Sequence, residues 1–282
     1  MKVLVTGASG MIGSYLVREL LDKGFDVIGI ERSKRKMMND RYIHHRVDLG
    51  DREALTAIIS GSQPDRIIHL AALAHSMDGK EYTWDRYKYL NVDCAKNVFS
   101  AAGQIPVLFI STVDVFGFTR GIVSADTEPR PVSFYAKSKM MAEEECKKLD
   151  NFDIFRFSPV YTDEVKRDIQ KRYYLKYPKI AYLIGKGSEY EILNIKRAVE
   201  SMVIWCGRRP ENKIRIIKDQ KRMSTREYIK AEKKSGRAKV VLYVPRWMAR
   251  CGYVFIKKIT GENKYTYLLN KAVFPLRTRD GE

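Results

Sequence analysis

The chain has little of what specialised architectures demand. Its four cysteines, Cys94, Cys146, Cys206 and Cys251, lie 52, 60 and 45 residues apart, so no paired-cysteine metal or redox motif exists and free thiols are expected. Of its four histidines, His44 and His45 are adjacent and would point to opposite faces of a strand; no metal site is expected. Long apolar runs are also missing. The most apolar late stretch, residues 240–256, is broken by Pro245, Arg246 and Arg250, short of the roughly 18 uninterrupted apolar residues of a membrane span. Met1 leads straight into Lys2-Val3-Leu4-Val5-Thr6 without an apolar leader, which predicts a cytoplasmic protein. Neither an internal repeat nor a low-complexity tract is found.

What is present suits a globular α/β protein. The 282 residues are 45% hydrophobic and 30% charged, enough for one large domain with a smaller appendage and incompatible with wholesale disorder. The net charge of +18 is unevenly placed: residues 1–150 carry 21 basic and 20 acidic side chains, residues 151–282 carry 31 and 14. Such a surplus favours an anionic partner, whether a nucleotide diphosphate, nucleic acid or an acidic membrane surface.

Residues 2–6 read as a buried strand, and Gly7, Gly10 and Gly13 lead into a helix on which Ile12, Leu16, Val17, Leu20 and Leu21 recur at helical spacing. Gly24 stands where a left-handed C-terminal cap would end it. Further strand signals at residues 25–30, 66–70, 107–111 and 152–157 alternate with crossover segments such as residues 91–102. This β-α-β pattern predicts a Rossmann doubly wound parallel sheet over residues 1–160, with ligands at the carboxyl ends of its strands. Residues 161–282 are expected to form a smaller, basic C-terminal substrate-binding region with segments packing back on the first domain.

The segment Thr6-Gly7-Ala8-Ser9-Gly10-Met11-Ile12-Gly13 has the logic of a pyrophosphate cradle, with a tight turn, close backbone approach and the positive end of a helix. Glu31 closes the next strand, where a carboxylate accepts hydrogen bonds from ribose hydroxyls and repels a 2′-phosphate; NAD is favoured. Arg32 keeps NADP open. Tyr135 and Lys139 stand four residues apart in Tyr135-Ala136-Lys137-Ser138-Lys139 and share a helix face. A phenol ordinarily titrates near 10, and a nearby ammonium favours its ionised form, which suits abstraction of an alcohol proton. Upstream, Ser111-Thr112-Val113-Asp114-Val115-Phe116-Gly117 closes an apolar strand, where the Thr112 hydroxyl could bind a reacting oxygen.

These motifs, with Val47-Asp48-Leu49, His69-Leu70-Ala71-Ala72, Asn91-Val92 and Arg156-Phe157-Ser158-Pro159-Val160-Tyr161, run in the order found in the extended short-chain dehydrogenase/reductases. Over residues 1–162 the chain resembles their NAD-dependent epimerase/dehydratase branch, which acts on nucleotide sugars. The resemblance implies a base at Tyr135, a modulator and nicotinamide-ribose ligand at Lys139 and a hydroxyl partner at Thr112. It also implies cofactor contacts at Ser9, Met11, Ile12, Asp48, Leu49, Ala71, Ala72, Asn91, Ser111 and Pro159, and substrate contacts at Asp114, Lys171 and Arg172. Loop and helix capping would account for Asp48 and Asn91 as well.

Departures bear on specificity. Val113 replaces the first acid of the pair that follows the threonine in 4,6-dehydratases, Lys196-Arg197 replaces an acidic segment, and Thr162 replaces a glycine. The abbreviated second half predicts an open substrate pocket. The expected activity is 4-epimerisation of a nucleotide sugar through a keto intermediate, by a homodimer without specific nucleic-acid binding. Alternatives are an NADP-dependent ketoreductase and a non-catalytic cofactor-sensing or polyanion-binding protein. Residues 245–258 are expected to form a core-packed helix, since their apolar residues recur at helical spacing; a membrane-surface helix is the other reading.

Overall fold

A computed structural model describes residues 1–32, 39–74, 82–119, 121–162, 170, 173–175, 180–261 and 263–279. The described chain divides into two compact units. The first comprises Met1–Thr112, Phe134–Phe157 and Ile195–Ile217, the second Val113–Ser133, Ser158–Asn194 and Lys218–Glu282.

The first unit is built on strands β1 (Lys2–Thr6), β2 (Asp26–Glu31), β3 (Tyr42–Arg46), β4 (Arg66–His69), β5 (Val107–Thr112), β6 (Phe152–Phe157) and β7 (Ile214–Ile217). Together they form one sheet in the order β7-β6-β5-β4-β1-β2-β3, every pairing parallel. The reversal of direction beside β1 is the doubly wound arrangement. Strands β1, β4 and β5 are near-continuous apolar runs because helices cover both faces of such a sheet. Those helices are α1 (Met11–Asp22), α2 (Arg52–Ser62), α3 (Trp84–Lys88), α4 (Cys94–Ala102), α5 (Phe134–Cys146) and α6 (Ile195–Cys206). Gly24 follows α1 at φ +81°, as its sequence position predicts.

Each unit is assembled from several stretches of the chain. Residues 113–133 leave the first unit early, and α6 and β7 return to it late. Asp153, 1% exposed on β6, explains the return. Its carboxylate accepts from Trp205 Nε1 at 2.9 Å, Lys213 N–H at 3.1 Å and Arg215 Nη1 at 3.1 Å, so one buried charge anchors both late elements.

In the second unit a three-stranded sheet pairs Val240–Val244 with Ile180–Ile184 and Ile180–Ile184 with Tyr174–Leu175. Tyr173, Leu183, Tyr190, Ile192 and Ile229 form its core. Three helices follow, α7 (Thr225–Lys234), α8 (Arg246–Thr260) and α9 (Lys264–Val273). Ser224 caps α7 by accepting from Glu227 N–H. Helix α8 forms where expected but packs on a core along one side only. Only Ala249 and Tyr253 are buried on it, whereas Trp247 and Phe255 are 67% and 66% exposed. Apolar side chains occupy both sides of this helix, and only one side finds a core. Among the described residues no helix is long and apolar enough to cross a membrane.

Candidate active site

The loop between β1 and α1 can close only with glycine. Gly7 sits at φ +71°, and a Cβ there would come within 2.9 Å of the Ala71 backbone. A Cβ on Gly13 would run into the Gly7 carbonyl oxygen and Ala8 Cα, so the first turn of α1 packs onto the loop because Gly13 has no side chain. Gly10 opens α1 with extended backbone, and the first turn carries no acid. Ser9, Gly10 and Met11 are exposed, and Ile12 is half-buried. A glycine cradle ahead of an exposed helix start fits a dinucleotide pyrophosphate.

Glu31 ends β2 with its side chain 3% exposed, and His44 Nδ1 on β3 lies 3.4 Å from its Oε1. The paired strands place His44 here, a neighbour that the adjacent-histidine argument does not anticipate. Arg32 is exposed, and its carbonyl accepts from Arg46 Nε at 3.0 Å. The two side chains expected to compete for the ribose are thus neighbours of opposite burial.

Several expected cofactor contacts also have protein partners. Asp48 Oδ1 accepts from Gly50 N–H at 2.8 Å, and Leu49 lies in the core with Ile28, Ile30 and Leu55. Asn91 sits on a π-helical turn over Tyr89–Asp93 and is 1% exposed. It accepts from Leu73 N–H at 2.7 Å and donates to Leu73 O at 3.0 Å and Ser138 Oγ at 2.8 Å. Asn91 therefore ties the loop bearing Ala71 and Ala72 to α5. Ser111, also buried, donates to Glu143 Oε1.

Helix α5 carries Tyr135, Lys139 and Glu143 one turn apart, hence on one face. Tyr135 is half-buried, and Ser138 Oγ donates to its carbonyl at 2.8 Å. Lys139 is 2% exposed, with Nζ 4.0 Å from the Phe109 ring centroid. Burial pushes the Lys139 ammonium down to about 7, against the pull of the Glu143 carboxylate. His69, fully buried with Nδ1 2.7 Å from Thr6 Oγ1, is pushed down to about 3, first by burial and then by Lys139. Glu143 also accepts from Arg156 Nε at 3.1 Å and Nη2 at 2.7 Å. Sequence reasoning missed this Glu143–Arg156 pair; its signal was a third polar residue continuing the Tyr135–Lys139 spacing.

Asp114 and Pro159 belong to the second unit. They line a cavity of about 30 Å³ with Ser158, Tyr267 and Lys271, and Asp114 Oδ1 is 2.7 Å from Lys271 Nζ. Helix α9 supplies Tyr267, Asn270 and Lys271 to its wall. Lys171 and Arg172 lie outside the described residues, as do Lys34, Arg35, Lys36 and His75.

The buried ammonium makes stability depend on pH. Lys139 titrates near 7 in the folded chain against an ordinary 10.5. Between those values the unfolded chain holds a proton that the folded chain has lost, so stability rises with pH. The burden on folding is complete below pH 7 and fades towards 10.5. In cofactor-free protein, urea titrations of Lys139→Met should therefore show its largest advantage over the parent below pH 7, shrinking steadily into the alkaline range. An advantage that is constant with pH would contradict this.

The model of the NAD dependent epimerase/dehydratase family matches residues 3–164. A GDP-mannose 4,6-dehydratase from Yersinia enterocolitica is 32% identical over 161 residues, 50% of this chain and 43% of that protein. The chain spans about half the length of the curated relatives it matches. Among solved structures, a UDP-glucuronic acid 4-epimerase from Bacillus cereus is similar with a TM-score of 0.70, at 24% identity over 87% of each chain. A UDP-Glc/GlcNAc 4-epimerase from Campylobacter jejuni gives 0.72, at 18% identity over 97% of this chain and 98% of that one.

Proposed function

Because the chain belongs to the NAD dependent epimerase/dehydratase family, a family of enzymes that use NAD, we propose that it oxidises a sugar hydroxyl of a nucleotide sugar and returns the hydride to the resulting ketone, with net 4-epimerisation. The observation that carries this reading is the joint placement of Tyr135 and Lys139 on α5, in the same unit as the glycine cradle. NAD supplies a hydride acceptor when bound. Gly7, Gly10 and Gly13 would hold its pyrophosphate and Glu31 its adenosine ribose, while Asn91 keeps the Ala71–Ala72 loop in place.

Tyr135 takes the proton from the substrate hydroxyl, and Thr112 holds the same oxygen by a hydrogen bond. Lys139, when charged, favours the ionised phenol. For inversion the keto sugar must present its other face before hydride returns. Val113 in place of an acid after Thr112 leaves no carboxylate there for eliminating water, which favours epimerisation over dehydration. The remaining substrate contacts are assigned to Asp114, Lys171 and Arg172, and assembly as a homodimer is part of the same proposal.

The test is a panel of UDP-, GDP- and dTDP-sugars incubated with purified protein and followed by NMR. Conversion of one sugar to its C4 epimer without consumption of added cofactor is the expected result. Net reduction with NADPH, together with tighter binding of NADPH than NADH, would instead favour the ketoreductase that exposed Arg32 allows.

A further inference from the structure

The second unit carries an exposed surface that nothing in sugar chemistry requires. Helix α8 buries Ala249 and Tyr253, the latter edge-on to Phe274 at 5.7 Å between ring centroids. Its other side is apolar and exposed. Trp247 is 67% accessible, Met248 48%, Val254 60%, Phe255 66% and Ile259 67%. At helical spacing these five side chains, with exposed Cys251, cover an arc of about 140°. Lys258 lies inside that arc, and Arg250 lies about 40° beyond one edge. The strand leading into the helix adds Leu242 and Tyr243, 48% and 73% exposed.

The charge around this face says what would cover it. Residues 246–261 hold four cations, Arg246, Arg250, Lys257 and Lys258, and no carboxylate. A second copy seated on the same face in a two-fold dimer would set these cations against themselves, and charged groups are depleted from interface cores. A nucleic acid would meet Trp247, Val254, Phe255 and Ile259 where its phosphates need cations. Apolar side chains in the middle with cations among and beside them match a layer of anionic headgroups over acyl chains. With 15 residues, α8 is about 22 Å long and suits lying in that plane.

We propose that the outward face of α8, an arc of Trp247, Met248, Val254, Phe255 and Ile259 set among cations, docks the protein onto an anionic lipid bilayer. The apolar side chains enter the headgroup boundary, and Lys258 and Arg250 meet lipid phosphates.

The experiment is co-sedimentation of the full chain with phosphatidylcholine vesicles, with and without phosphatidylglycerol. The parent protein should bind the anionic vesicles about tenfold more tightly or better, and high salt should release it. Tryptophan emission should shift to the blue on those vesicles, and Trp247→Phe should lose most of the shift while still binding. The double substitution Trp247→Glu with Phe255→Glu should weaken binding about tenfold or more, with circular dichroism and melting temperature unchanged because both side chains face solvent. Failure to bind either vesicle, or binding that the double substitution leaves intact, would overturn the proposal. So would a dimer that the double substitution splits, or an RNA complex that it abolishes, in the absence of vesicle binding.

Discussion

Replacing Tyr135 by phenylalanine should lower turnover of the responding nucleotide sugar about 10²- to 10⁴-fold, the range over which positioned acid–base groups act. NAD affinity should stay within about twofold, because the cofactor cradle is built from Gly7, Gly10 and Gly13 and not from the phenol. The substitution removes one oxygen from a half-buried ring and leaves Ser138 Oγ bonded to the residue's carbonyl. The two readouts separate the possible outcomes. Lost turnover with intact cofactor binding assigns proton transfer to Tyr135. Undiminished turnover would remove the proposed base and leave Thr112 or an unassigned group to take its place. Activity should also respond to Lys139. Its ammonium titrates near 7, so its support for the ionised phenol weakens as pH rises through that value in the cofactor-free protein.

The parts of this site that are legible in sequence are local. The glycine loop is a run of eight residues whose spacing carries its own geometry, and the buried parallel strands are apolar runs that resemble nothing else. Tyr135 and Lys139 need only one helical turn to meet. What escaped sequence reading is non-local or ambiguous in sign. The return of α6 and β7 rests on Asp153 meeting Trp205, Lys213 and Arg215, all more than fifty residues away. Asn91 and Ser111 have residue types equally able to bind a ligand or to satisfy buried protein groups, and in the fold both bind protein. Apolar periodicity correctly locates α8, but it does not say which side meets a core, since Trp247 and Tyr253 are equally suited to one.

The Glu143–Arg156 pair, which sequence reasoning missed, should have the largest effect on stability. Arg156 is 1% exposed and Glu143 0%, and their hydrogen bonds fasten α5 to β6. A buried pair gains little over a well-packed apolar one, but losing one member strands the other in a dry interior. Glu143→Leu should therefore cost about 3 to 5 kcal/mol in urea unfolding, with Arg156 left uncompensated and Ser111 without its acceptor. Arg156→Met should cost a similar amount, and the double substitution should recover much of the loss, because neither member of the pair is then left without the other. The pair also acts on Lys139. The Glu143 carboxylate holds the ammonium up against burial, so its removal lets Lys139 lose its proton at still lower pH. Activity of Glu143→Gln, measured at temperatures where it is fully folded, should then decline from a more acidic pH than in the parent, whereas a purely structural role would leave the pH profile in place.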